Sequence, residues 1–148
     1  TRNEEAFGYY KGFKLGKIST HDERYIQCIK VKNLQDIDID DWGKDWDVFG
    51  IDEGQFFDDL SPVVDFANKY EKDVVISGLD GDFKQQKFGT MLDLIPQCDT
   101  VSKLHALCTI CNDGTPGIFS KRIAQSEEQQ LVGGKNEYQA VCRECISL

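Results

Sequence analysis

The chain has 148 residues, 40% of them hydrophobic, and a formal net charge of −9. This is enough apolar material for one domain with a real core, and it argues against disorder. The acidic surface opposes phosphate backbones, so no nucleic-acid partner is expected, and no apolar run approaches the roughly 20 residues of a membrane helix.

Along the chain, residues up to Thr20 mix glycine, aromatics and charge and read as poorly structured, followed by a strand around Tyr25–Val31. Seven aspartates lie between Asp36 and Asp52, with Trp42 and Trp46 among them. They lack the glycine and terminal glutamate offsets of a calcium loop, so the stretch reads as a capped helix start or a solvated loop. Val48–Ile51 is a short apolar run and predicts a buried strand. Asp58–Lys72 predicts a helix, with Ser61 as cap, Pro62 in the first turn, and Val63, Phe66, Ala67 and Tyr70 on one face. Val74–Gly78 is a second buried strand. Strand, helix and strand with short links predict a βαβ unit and a parallel sheet.

Beyond it, Gly81–Gly89 reads as a loop and Thr90–Ile95 as a helical turn ended by Pro96. Val101–Leu107 is expected as a strand delivering Cys108, and Asn112–Gly117 as a turn-rich loop. Phe119–Arg122, Gln129–Val132 and Tyr138–Val141 are short extended pieces, with a turn at Gly133–Gly134.

Six cysteines are present, and no secretory signal opens the chain, so an intracellular, cytoplasmic protein is expected. Cys108-x-x-Cys111 and Cys142-x-x-Cys145 are separated by 30 residues. Two such turns can aim four thiolates at one ion and complete a closed tetrahedral shell, which makes the expected metal a structural zinc. The alternatives are two thiol pairs without metal, or a redox pair, which would need a thioredoxin-like helix start. Cys28 and Cys98 read as small buried hydrophobes.

Asp52 and Glu53 follow the apolar run Val48–Ile51 in the manner of a Walker B element. A buried strand holds an acid rigidly at its C-terminal edge, where ligands of open α/β sheets bind. Asp52 is then placed to hold magnesium, and Glu53 to take a proton from an attacking hydroxyl. Solubility alone also explains an Asp-Glu strand end. No P-loop is present: Gly12-x-x-x-Gly16-Lys17-Ile18 has the wrong spacing and lacks the hydroxyl residue. A phosphate cradle is expected ahead of Thr1, if the protein has one.

Asp52-Glu53-Gly54-Gln55-Phe56-Phe57 resembles the D-E-G-Q-F-F segment of type II, cytosolic-type thymidine kinases. Gly78-Leu79-Asp80-Gly81-Asp82-Phe83 with Phe88-Gly89 is similar to their next block. Phe119-Ser120-Lys121-Arg122, Val132-Gly133-Gly134 with Tyr138, and Val141-Cys142-Arg143-x-Cys145 come after it in order. Thr20-His21-Asp22 is similar to an earlier motif, although Glu23 stands where the family has a basic residue. The likeness runs from about Thr20 to Cys145, the C-terminal two-thirds of such an enzyme.

The resemblance implies an α/β fold with a P-loop-type parallel sheet core, its P-loop part missing. It divides the chain into a partial kinase core, 1–107, and a small zinc-binding lasso domain, 108–148. It implies transfer of the ATP γ-phosphate to the 5′-hydroxyl of thymidine, with magnesium and a structural zinc. Glu53 would be the general base. Asp52, Asp22 and Arg122 would serve the ATP side. Phe56, Leu79, Phe83 and Phe88 would wall the base, while Leu131, Val132, Gly133 and Tyr138 would hold its edge and the sugar. A homotetramer inhibited by thymidine triphosphate is implied as well. Without a P-loop, the 148 residues alone are expected to be inactive. The competing readings are a non-catalytic zinc-ribbon binding module and a dead kinase homologue.

Overall fold

In the computed structural model, residues 9–19, 24–124 and 137–147 are described. The chain begins with an antiparallel sheet of β1 (Tyr9–Tyr10), β2 (Phe13–Ser19) and β3 (Tyr25–Ile29) in that order. For residues 9–19 this corrects the expectation of a poorly structured segment; the rest of that stretch lies outside the described residues. Leu15 pairs with Ile29, and Ile18 with Ile26. Phe13 meets Trp42 edge-on with centroids 5.7 Å apart. Phe13 and Leu15 do alternate with Lys14 and Gly16, but a period-two signal this short is hidden by the two flanking glycines.

The aspartate-rich stretch is structural. Asp38 caps α1 (Ile39–Trp42) by accepting from the Asp41 amide, which satisfies a donor that a helix start leaves open. Lys11 pairs with Asp41 at 2.6 Å and with Asp45 at 2.7 Å. Asp40 takes Lys69 at 2.7 Å, and Asp47 takes Lys72 at 2.8 Å. The lysines come from distant parts of the chain and draw the acidic run against the next helix.

That helix, α2 (Ser61–Tyr70), links β4 (Val48–Ile51) to β5 (Asp73–Ile76). The two strands are parallel, with Val48 opposite Asp73 and Ile51 opposite Ile76, so the βαβ unit is present as expected. The helix starts later than expected and Ser61 does not cap it. Leu60 occupies the cap position, and the Asp59 carboxylate accepts from the Ser61 amide at 2.8 Å. Val63 and Phe66 are buried, and Phe66 lies 5.3 Å from Phe49 and 5.7 Å from Tyr70, ring centre to ring centre. Leu34, Ile37, Trp42, Ile51, Leu60, Val63 and Leu94 form the buried centre of this part. Among the described residues the parallel sheet has these two strands, within a small domain of mixed helix and strand.

A 3-10 helix spans Met91–Gln97 and runs through Pro96. Two residues, Ala106–Leu107 (β6), are all that forms of the strand expected over Val101–Leu107, and they pair with β7 (Pro116–Gly117). Apolar content misled here: Leu104 is 87% exposed, and among the described residues no strand pairs with residues 101–105. β8 (Phe119–Arg122) and β9 (Tyr138–Val141) pair antiparallel, with Arg122 opposite Tyr138. A second buried cluster comprises Val141 and three cysteines, with Phe119 and Ile146 packed on it. The expected extended piece at Gln129–Val132 and the turn at Gly133–Gly134 lie outside the described residues. No helix among the described residues is long and apolar enough to cross a membrane.

Candidate active site and metal centre

The ladder between β4 and β5 continues past both strands: Ser77 N donates to Ile51 O and Gly54 N to Ser77 O, each at 2.9 Å. It holds the strand tips together and fixes the residues just beyond them. Asp52 accepts from the Ser77 hydroxyl at 2.8 Å. Glu53 adopts a left-handed backbone, φ 57° and ψ 42°, which turns the chain sharply into a 3-10 turn over Gly54–Phe56. Both carboxylates are exposed at this edge.

Gln55, in that turn, is 2% exposed. Its Nε2 donates to Glu53 Oε2 at 2.6 Å, and its Oε1 accepts from the Leu79 amide at 2.9 Å. Glycines make room for it. A Cβ on Gly78 would lie 2.4 Å from Gln55 Oε1, and one on Gly89 2.3 Å from Gln55 O. Gly89 is also left-handed, at φ +62°. Sequence reasoning passed over Gln55. The available signal was one amide side chain between a glycine and two phenylalanines, where burial obliges it to find partners.

The segment from Gly78 to Gly89 is a tight loop. Asp82, 8% exposed, accepts from the amides of Lys84 and Gln86 at 2.9 Å each, and Phe88 N donates to Asp80 O at 3.2 Å. Asp82 was also missed, although Asp80-Gly81-Asp82 is a sequence in which an aspartate organises a turn. The Phe88 side chain is buried and meets Phe56 edge-on at 5.6 Å, while Phe56 and Leu79 remain partly open to solvent. Phe83 carries the Arg122 guanidinium 3.7 Å above its ring, and Arg122 donates to the Tyr138 hydroxyl. Thus Phe83, Arg122 and Tyr138 come together, as do Glu53, Phe56, Leu79 and Phe88 around Gln55. Asp22, Leu131, Val132 and Gly133 lie outside the described residues.

The sulfurs of Cys108, Cys111, Cys142 and Cys145 all lie within 4.8 Å of one another. Cys111 Sγ is 3.7 Å from Cys142 Sγ and 3.5 Å from Cys145 Sγ. A tetrahedral shell with bonds of about 2.3 Å requires sulfurs about 3.8 Å apart, so this set fits a thiolate-bound ion. The local fold delivers them: Cys108 directly follows β6, its amide donating to Thr115 O at 2.7 Å, and Cys142 directly follows β9. The amides of Cys111, Cys142 and Ile110 lower the Cys108 thiol to about 6, despite burial. The neighbouring sulfurs of Cys145, Cys108 and Cys142 push the Cys111 thiol up. Four thiolates this close repel one another, and a bound cation is the physical means of ionising them together. Cys98 stands apart and is exposed, contrary to the burial expected of it, with its thiol donating to Leu94 O at 3.2 Å.

A family model described as thymidine kinase matches residues 10–146. The thymidine kinase of Yaba monkey tumor virus (strain VR587) is 41% identical over 138 residues, covering 93% of this chain and 74% of its own. Thymidine kinase 1 of Dictyostelium discoideum is 36% identical over 130 residues, covering 88% and 56%. The cytosolic thymidine kinase of Gallus gallus is 37% identical over 131 residues, covering 86% and 55%. The chain belongs to the thymidine kinase family. It spans about three quarters of the viral relative and a little over half of the two cellular ones.

Proposed function

We propose that this chain supplies the nucleoside side of an ATP-dependent thymidine kinase. The observation that carries the reading is the joint delivery of Asp52, Glu53 and the Gly78–Gly89 loop to one edge of the parallel strand pair, tied by Gly54, Gln55 and Ser77. Acids at the C-terminal edge of parallel strands stand where ligands of such folds bind. Glu53 is read as the general base that takes the proton of the thymidine 5′-hydroxyl as the γ-phosphate transfers. Asp52 would hold magnesium, which when bound offsets phosphate charge.

Phe56, Leu79, Phe83 and Phe88 would wall the base, and Tyr138 with Leu131, Val132 and Gly133 would hold its edge and the sugar. Asp22 is assigned to the phosphate side. Arg122 is read from its stacking as a brace for this wall, rather than as the phosphate contact that the resemblance implies. Cys108, Cys111, Cys142 and Cys145 would hold a structural zinc that stiffens a lasso domain, 108–148, against a kinase core, 1–107. A cytoplasmic homotetramer, inhibited by thymidine triphosphate, completes the reading.

The test is ATP- and magnesium-dependent phosphorylation of thymidine by the full-length protein. Glu53→Gln should lower kcat by about 100- to 10,000-fold, the span typical of a lost general base. A Glu53→Gln rate equal to wild type removes Glu53 from the chemistry. No phosphorylation of thymidine or another deoxynucleoside by the wild type removes the kinase reading.

A further inference from the structure

We infer that Gln55 is a positioning residue, a buried bracket that fixes the Glu53 carboxylate and couples it to the Gly78–Gly89 loop. The inference deepens the kinase reading and rests on it for the meaning of Glu53. Glu53 itself is exposed, and a solvated glutamate samples several rotamers unless something holds it. What holds it is the Gln55 amide, which donates to Glu53 Oε2 at 2.6 Å from a side chain only 2% exposed. The opposite end of the same amide accepts from Leu79 N at 2.9 Å. One rigid planar group therefore spans the base and the first residues of the loop assigned to the nucleoside.

The surroundings allow Gln55 little freedom. Its Oε1 lies where a Cβ on Gly78 would clash at 2.4 Å, and its main-chain oxygen where a Cβ on Gly89 would clash at 2.3 Å. Met91 Sδ fills the remaining side of Gly78. Rotating the amide would leave a buried donor and a buried acceptor without partners, which is strongly disfavoured. A loop displaced by an ill-fitting base would pull on Leu79 N, and through Gln55 on the carboxylate. Nucleoside fit is in this way transmitted to the reacting group by two hydrogen bonds.

Two substitutions separate the two ends. Gln55→Glu is isosteric and keeps an acceptor for Leu79 N, but sets a carboxylate against Glu53. Gln55→Leu removes both bonds. In the full-length enzyme, Gln55→Glu should lower kcat on the order of 10- to 100-fold while leaving KM for thymidine within about twofold, as displacement of a reacting group does. Gln55→Leu should lower kcat and also raise KM for thymidine, and the Leu79 amide should exchange with solvent faster than in Gln55→Glu.

A kcat for Gln55→Glu within twofold of wild type overturns the inference, and so does equal Leu79 exchange in the two variants. If Gln55→Leu does not fold, Gln55→Glu alone decides the kcat arm. A readout independent of activity is the proton resonance of the Gln55 side-chain amide. It should be shifted downfield in wild type and return to the ordinary position in Glu53→Ala, which removes the acceptor. A wild-type protein without kinase activity would defeat the kinase reading and leave this resonance to decide the bracket. An unshifted resonance in an active enzyme would defeat the bracket alone.

Discussion

The guanidinium of Arg122 lies 3.7 Å above the ring of Phe83 and also donates to the hydroxyl of Tyr138, its cross-strand neighbour. A residue of the cysteine-held sheet thus reaches across to the Gly78–Gly89 loop. The planar cation stacks on a ring and spends a fork donor on a phenol, a combination that lysine cannot reproduce. Arg122→Lys is expected to raise KM for thymidine about tenfold, which corresponds to about 1.4 kcal/mol, with a much smaller change in kcat. Steady-state kinetics at varied thymidine checks this. An unchanged KM would mean that the stack does not shape the nucleoside site.

The four-cysteine cluster predicts one tightly held metal ion per chain, identified as zinc by elemental analysis of the purified protein. Cys142→Ser should lose the ion. Strong chelators should do the same and release the structure around β8 and β9 before the rest unfolds, because ion and local fold are coupled. Residue-resolved hydrogen exchange reads the order of loss.

Gly89 couples a left-handed backbone to a site with no room for a methyl group. Gly89→Ala should therefore destabilise the protein by about 2–4 kcal/mol, summing left-handed strain and overpacking. Gly12 is equally left-handed, at φ +87°, but a Cβ there would meet nothing within 4 Å. Gly12→Ala should cost only the strain, about 1–2 kcal/mol. Urea unfolding of the pair separates the two contributions.

Asp59 gives the stability a definite dependence on acid. The Ser61 amide, supported by Ser61 and Gln35 side chains, holds its carboxyl below the ordinary value of 3.8. The depressed folded-state value means that this contribution is fully present above the ordinary value and is lost as pH falls through the folded one. Asp59→Ala should be less stable than wild type at neutral pH. The gap between the two urea midpoints should close in acid, below about pH 4.

The sequence carried most of what local patterns encode. Val48–Ile51 and its partner strand, the helix between them, and the cysteine spacing are short-range signals and each is present, although the two strands expected to be buried are only partly so, with Val48 55% and Val75 62% exposed. Of the N-terminal sheet, the strand starting at Tyr25 was legible, but β2 was not, because Phe13 and Leu15 gain their meaning from Trp42 and Ile29, farther along the chain. Val101–Leu107 erred in the opposite direction: among the described residues, strand-forming side chains there find a partner strand only at Ala106–Leu107. Glu53 and Asp52 were legible as a strand-end acid pair. Gln55 and Asp82 were not, since their role is to satisfy other groups and depends on burial that composition does not reveal.

The left-handed conformation of Glu53 has a consequence for the protein's history. A non-glycine residue there carries roughly 1–2 kcal/mol of backbone strain that glycine would relieve. Glu53→Gly should therefore melt higher than Glu53→Ala, which loses the same carboxylate and the same Gln55 bond but keeps the strained backbone, and both should lose phosphoryl transfer, as thermal scans beside an activity assay would reveal. Among residues without a carboxylate, glycine is the sturdiest occupant of this position, so copies freed from the need to turn over should drift toward it.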